Sequence, residues 1–337
     1  MKADLHPCGP DDQSRLVIAP SDIAFVICVE GNVLSSQALL LCESLRRYGG
    51  AYSNCAIWAI SPRSTLPVSD LVQAQLRALD VNVVSIALNK TGSAYGTINR
   101  IVAGAWAEQR LTTEFICMLD TDMAFVRPPV FHVADAGARP VDAKGMATAG
   151  ADDPREAYWA ELCELAGIGM ERLPHLSTTW CRSVIRASYN GGFLVVRRAL
   201  GILAETERVF LKAFYRDLRP SRHVADVLAS AGHTGSEAAS WWGSSQAALS
   251  VAISARTDDI LLYDAAYNVP LHSLVGEPVL PVDARNPVLI HYHYLAAQSY
   301  RYGFIKTLDR IGCAADVQAW IAERLAQLEW QLAGVAP

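Results

Sequence analysis

Through the first 130 residues, short unbroken apolar runs alternate with stretches of helical period. The run "IAFVICVEGN" (23–32) opens with consecutive apolar positions, the pattern of a strand buried on both faces, and ends at Gly31-Asn32. In "SSQALLLCESLRRYGG" (35–50), Ala38, Leu41, Cys42 and Leu45 keep helical spacing, and Gly49-Gly50 stop the helix. "CAIWAIS" (55–61), "VNVVSIAL" (81–88) and "EFICMLD" (114–120) repeat the strand pattern, with helical patterns at 68–80 and 98–111 between them. Four strands separated by three helices predict a doubly wound α/β sheet.

Beyond residue 130 the alternation weakens. "KGMATAGADDP" (144–154) suggests a short strand and a loop, and "YNGGFLVVRR" (189–198) a strand entered through two glycines. Residues 199–218 read as an amphipathic helix, 240–254 as a loop that becomes a helix, 287–295 as a last extended segment and 314–332 as a closing amphipathic helix. All the elements fit one sheet. The expected organisation is a flexible lead-in (1–21), one domain (22–312) and a C-terminal helix (313–337). Residues 22–130 would form a nucleotide-binding half of that domain, and 131–312 an acceptor and sugar half.

Composition narrows the function classes. With 337 residues and 51% hydrophobic positions, a sizeable core is available. The net charge of -5 leaves no basic excess for a nucleic-acid partner. Eight cysteines form no CxxC pair, and Cys28 and Cys117 lie inside apolar runs, so neither structural zinc nor a disulfide framework is expected. No signal-peptide pattern and no run near the roughly 20 apolar residues of a membrane helix occurs, so the expected location is cytoplasmic, with no transmembrane segment.

The chemistry is concentrated in "EFICMLDTDMAFVRPP" (114–129). Asp120 and Asp122 are i and i+2, so an extended backbone would send both carboxylates out of one face at the carboxyl end of a buried strand. Their repulsion needs a compensating cation, and Mg²⁺ or Mn²⁺ with substrate phosphate oxygens would supply it. A solvated turn is the plainer reading of an isolated acidic pair. Haloacid-dehalogenase-type phosphatases also place a nucleophilic Asp after a strand, in DxDx[TV], but the last position here is Ala124.

"FICMLDTDM" resembles the DxD segment of nucleotide-sugar glycosyltransferases of the GT-A fold, and the resemblance covers most of 23–295 in order. It implies a Rossmann-like mixed sheet flanked by helices, with the acidic pair holding Mn²⁺ or Mg²⁺ against the donor diphosphate. "VICVEGN" is similar to the first strand and turn beside base and ribose, which points to Val29 and Asn32. "INRIVAGAWA" resembles the helix whose basic residue, here Arg100, approaches the donor. "YNGGFLVVRR" resembles the strand that sets Asn190, Gly191 and Gly192 against the sugar, and "SSQAAL" the motif that places Gln246 near it. "LIHYHY" resembles the histidine segment that completes the metal site of glycogenin-like enzymes (glycosyltransferase family 8), with His291 preferred over His293. Residues 113–129 also look like plant peptidyl-serine galactosyltransferases and hydroxyproline arabinosyltransferases. Two departures stand out: Ser245 replaces an Asp before Gln246, and no Gly and Lys follow the histidines.

Several candidates also have plain structural readings. Gly191-Gly192 could form a bulge, and Asn190 a turn. Trp241, Trp242 and Tyr292, Tyr294, Tyr300 and Tyr302 fit a core, or an aromatic acceptor groove. Asp152 and Asp153, before Pro154, fit a solvated turn, and Asp153 would be the base of an inverting transfer. The expected function is metal-dependent transfer from a nucleoside-diphosphate sugar, a UDP-sugar first, to a saccharide, peptide or small-molecule hydroxyl. The alternatives are a phosphatase and a GT-A-like binding module without turnover.

Overall fold

The computed structural model describes residues 15–31, 33–221, 224–281, 284–293 and 298–333. Asn32, Tyr294 and most of the proposed lead-in lie outside them. In chain order the first half is β1 (Ile23–Cys28), α1 (Val33–Tyr48), β2 (Ile57–Ser61), α2 (Asp70–Ala78), β3 (Val81–Ser85), α3 (Thr97–Arg110) and β4 (Phe115–Leu119). Each lies where the apolar pattern predicts it. The second half is β5 (Met123–Phe125), β6 (Ala136–Pro140), α4 (Glu156–Ala166), β7 (His175–Ser177), β8 (Val184–Arg186), β9 (Tyr189–Arg197), α5 (Ile202–Tyr215), β10 (Leu228–Ala229), β11 (Gly232–His233), α6 (Gly235–Ser240), α7 (Ser244–Arg256), β12 (Ile260–Leu262), β13 (Tyr267–Pro270), β14 (Leu289–His291), α8 (Gln298–Arg310) and α9 (Ala315–Ala333).

The central sheet has seven strands in the order β12-β6-β9-β4-β1-β2-β3. It is the mixed, helix-flanked α/β sheet that the sequence implies. β1 is flanked in parallel by β2 and β4, so the strand order reverses beside it. Open α/β sheets bind ligands at such a switch point, outside the carboxyl ends of the strands. β9 runs antiparallel to both β4 and β6, pairing Leu119 with Phe193. That reversal delivers the start of β9, Asn190 to Gly192, to the carboxyl end of β4.

The expectation of a single sheet is corrected. Among the described residues there are four, and the segment around 287–295 contributes β14 to a three-stranded sheet, β13-β14-β5. β14 pairs antiparallel with β5, His291 opposite Met123. The strand expected within 144–154 is absent; that stretch forms turns, while β6 precedes it. β6 reads "AGARP", a poor strand by composition, and is a strand because every residue in it is buried between neighbours.

The closing helix is part of the same body. Trp320 Nε1 of α9 donates to Glu43 Oε1 of α1 at 3.1 Å, and the Trp320 and Tyr48 rings meet edge to face at 5.3 Å. Trp320 and Ile321 are buried there, at about 2 kcal/mol each.

Candidate active site

β4 ends at Leu119 and β5 begins at Met123, so Asp120-Thr121-Asp122 is the turn joining the two sheets rather than an extended strand end. The turn is held from several sides. The Asp120 N–H donates to Gly192 O at 2.9 Å, the Tyr292 N–H donates to Asp122 O at 3.0 Å, and Thr121 Oγ1 donates to Gln37 Oε1 at 3.2 Å. Both carboxylates line one cavity of about 890 Å³, but each has its own basic partner.

The partner of Asp120 is Arg100 on α3, whose Nη1 donates to Oδ1 at 2.8 Å. Burial alone would lower the Arg100 pKa, but the Asp120 carboxylate more than restores it, so the guanidinium keeps its charge. The two glycines of β9 make room for this pair. A Cβ on Gly191 would lie 2.9 Å from Arg100 Cζ, and one on Gly192 would lie 3.0 Å from Asp120 Oδ2 and 3.2 Å from His291 Cε1. Asn190 lines the cavity, and its Oδ1 accepts the Gly192 N–H at 2.9 Å, which fixes the entry into the strand.

The partner of Asp122 is His291, whose Nε2 is 2.9 Å from Oδ1, with both residues buried. The Ser230 hydroxyl, between β10 and β11, donates to the other oxygen. Burial would raise the Asp122 pKa, but His291, by charge and by hydrogen bond, and the Ser230 hydroxyl hold it well below the usual carboxylate range. The same pairing raises His291 against the pull of burial. His293 stacks on His291 at 3.7 Å between centroids, and His272 lies 4.0 Å beyond it. Burial, then the charge on His291, push His293 down to about 2, so it is neutral.

One carboxylate oxygen and one nitrogen from each of His291 and His293 fall within 4.8 Å of one another. This set fits a divalent metal. Ligands about 2.1 Å from an octahedral ion sit about 3 Å apart when adjacent, which matches the 2.9 Å between Asp122 and His291. Mixed carboxylate and imidazole donors suit Mn²⁺ better than Mg²⁺. Asp120 is not in the cluster, because its carboxylate faces Arg100.

Residues 25–230 match the Rhodobacterales glycosyltransferase domain family, more than half of the chain. The chain belongs to that family. The family is one of glycosyltransferase domains. The family segment contains Arg100, both aspartates, Asn190 to Gly192 and Ser230. Among solved structures, the chain is similar to the bifunctional glycosyltransferase WbbM in its apo form, at 11% identity and a TM-score of 0.47 over 98% of this chain. It spans 53% of the length of that protein. No curated protein sequence matches. No helix among the described residues is long and apolar enough to cross a membrane.

The remaining expectations divide. Gln246, in the first turn of α7, lines the cavity. Ser245 beside it is buried and accepts from the Tyr95 hydroxyl at 3.2 Å. Val29 does not line the cavity: its side chain is in the core and its N–H donates to Ile60 O at 2.9 Å. Its neighbours Cys28 and Glu30 line the cavity instead. Asp153 is a second correction. It is not among the lining residues; Lys144 pairs with its carboxylate, and the Ala149 and Arg155 N–H groups each donate to it at 3.0 Å. A carboxylate so occupied, and held at about 2 by Lys144 and these N–H groups against a burial effect in the other direction, is a turn anchor rather than a base. Trp241 is core, while Trp242 lines the cavity and is 38% exposed.

Sequence reasoning missed Glu30, Arg63 and Asn99, which meet on the wall of the same cavity. Arg63 grips Glu30 with two nitrogens, and Asn99 Nδ2 donates to Glu30 Oε1 at 2.9 Å. Asp142, His272, Ser230 and Asn268 were also missed. Glu30 alone carried a signal, as the polar residue that ends the first buried run.

Proposed function

We propose that this enzyme is a metal-dependent glycosyltransferase that uses a nucleoside-diphosphate sugar, a UDP-sugar first, and transfers the sugar to an acceptor hydroxyl. The observation that carries the reading is the Asp122–His291–His293 cluster, open to a cavity large enough for such a donor. When bound, Mn²⁺ would neutralise the charge that develops on the departing diphosphate. Asp122 and His291 would hold the ion, with His293 as the third ligand. Asp120 would act mainly through Arg100, keeping a cation fixed beside the phosphate path. Asn190 and Gln246 would orient the sugar, and the two glycines let the backbone approach it. Glu30, Arg63 and Asn99 offer a fixed set of donors and acceptors for the nucleoside.

Nothing in the site favours the phosphatase alternative. Its nucleophile would be Asp120, one oxygen of which is already engaged by Arg100. A thermal-shift panel of UDP, GDP and their sugars, with and without Mn²⁺, tests the proposal. A ligand at 100 times its Kd adds about 2.7 kcal/mol to the native state. The expected result is a rise in Tm with UDP or a UDP-sugar only when Mn²⁺ is present. No shift with any nucleotide in Mn²⁺ would overturn it. Donor hydrolysis in Mn²⁺ then separates an active transferase from a binding module without turnover.

A further inference from the structure

Asn268 is fully buried in β13, and its Oδ1 is 2.9 Å from His291 Nδ1. Its backbone is unusual in two ways. The pairing of β13 with β14 slips between Tyr267 and Val269, so Asn268 is the extra residue of a β-bulge. Its φ is 109°, in the region that disfavours side chains. The fold also leaves its Nδ2 buried without a hydrogen-bond partner. A bulge, a positive φ and an orphan donor all cost stability, and an apolar residue in regular pairing would avoid each. What the arrangement gains is one hydrogen bond, to the ring of His291.

We infer that Asn268 is a positioning residue for metal binding: it accepts the Nδ1–H of His291 and so turns Nε2 toward Asp122. The inference rests on the proposed metal site. A histidine that ligates through one nitrogen needs its other nitrogen held by an acceptor, which fixes both tautomer and ring plane. A bulge re-aims a side chain that regular pairing would send elsewhere. Here it aims the amide at His291 on the adjacent strand. The ring is then clamped from three directions: Asn268 at Nδ1, Asp122 at Nε2 and the stacked His293 on its face.

Two variants separate side chain from backbone. Asn268→Gly accepts the positive φ without strain and removes only the acceptor. Asn268→Asp keeps an acceptor in place. Mn²⁺ binding to the whole protein is measured by calorimetry, alongside Tm and the ¹⁵N shifts of the histidine rings in metal-free protein. The expected result is that Asn268→Gly binds Mn²⁺ about 10–100-fold more weakly while folding as wild type. Its His291 ring nitrogens should change from one fixed protonation pattern to an exchanging one, and Asn268→Asp should restore both. Wild-type Mn²⁺ affinity and an unchanged His291 ¹⁵N pattern in Asn268→Gly would overturn the inference. Failure of wild-type protein to bind Mn²⁺ sinks the metal reading instead, and the metal-free ¹⁵N pattern still decides whether Asn268 positions the ring.

Discussion

Asp122 Oδ1 lies 2.9 Å from His291 Nε2, the first residue in the turn that leads into β5 and the second at the end of β14. Met123 faces His291 across β5 and β14, so each member of the pair sits within a residue of one register contact. The pairing of these two strands sets the site directly.

If the pair holds the metal, Asp122→Ala and His291→Ala should each abolish Mn²⁺-dependent nucleotide binding, measured by calorimetry. Asp120→Ala should have the smaller effect on metal affinity, because Asp120 pairs with Arg100. Equal losses of metal affinity in Asp120→Ala and Asp122→Ala would show that the carboxylates act as one unit.

The glycines give a second prediction. Gly191→Ala places a methyl against the Arg100 guanidinium, the far end of a flexible side chain. Displacing it should cost stability about 1 kcal/mol or less, since the guanidinium can swing aside. It should cost activity at least ~10-fold, because a cation moves beside the phosphate path. Paired measurements of Tm and kcat/KM check this, and a variant with full activity would dissociate Arg100 from turnover.

The adjacent tryptophans should behave oppositely. Trp241 is buried against Phe214, with Arg219 over its ring at 4.8 Å, so Trp241→Ala should lose about 3–5 kcal/mol in chemical denaturation. Trp242 lines the cavity and is partly exposed, so Trp242→Ala should lose about 1 kcal/mol or less and raise the KM for acceptor.

Asp153 offers a pH test. Its pKa is about 2 in the fold against an ordinary 3.8, so its ion pair stabilises the protein fully above the ordinary value and is lost as pH falls through about 2. Wild type should therefore be more stable than Asp153→Asn at pH 5, with the difference shrinking from about pH 4 downward. The activity of this variant should stay well short of the ~10²-fold loss that follows removal of a general base. A loss of that size would return Asp153 to the catalytic machinery.

The sequence alone determined the frame. Buried strands β1, β2 and β4 are legible because both faces of each are buried, which leaves no polar alternation to confuse the pattern. It also brought forward Asp120, Asp122, Arg100, the two glycines and His291, all of which meet at one cavity or its wall. Only the tertiary structure decided who pairs with whom. Two carboxylates two residues apart look alike in sequence, yet a turn between sheets gives one to Arg100 and the other to His291. Asp153 looks like a base until Lys144 is seen to hold it, and Val29 looks like a ligand contact until strand alternation turns it into the core. Asn268 carries no local signal at all. Its role depends on a bulge, a register and a neighbouring strand, and a linear pattern encodes none of these because each arises from contacts between distant segments.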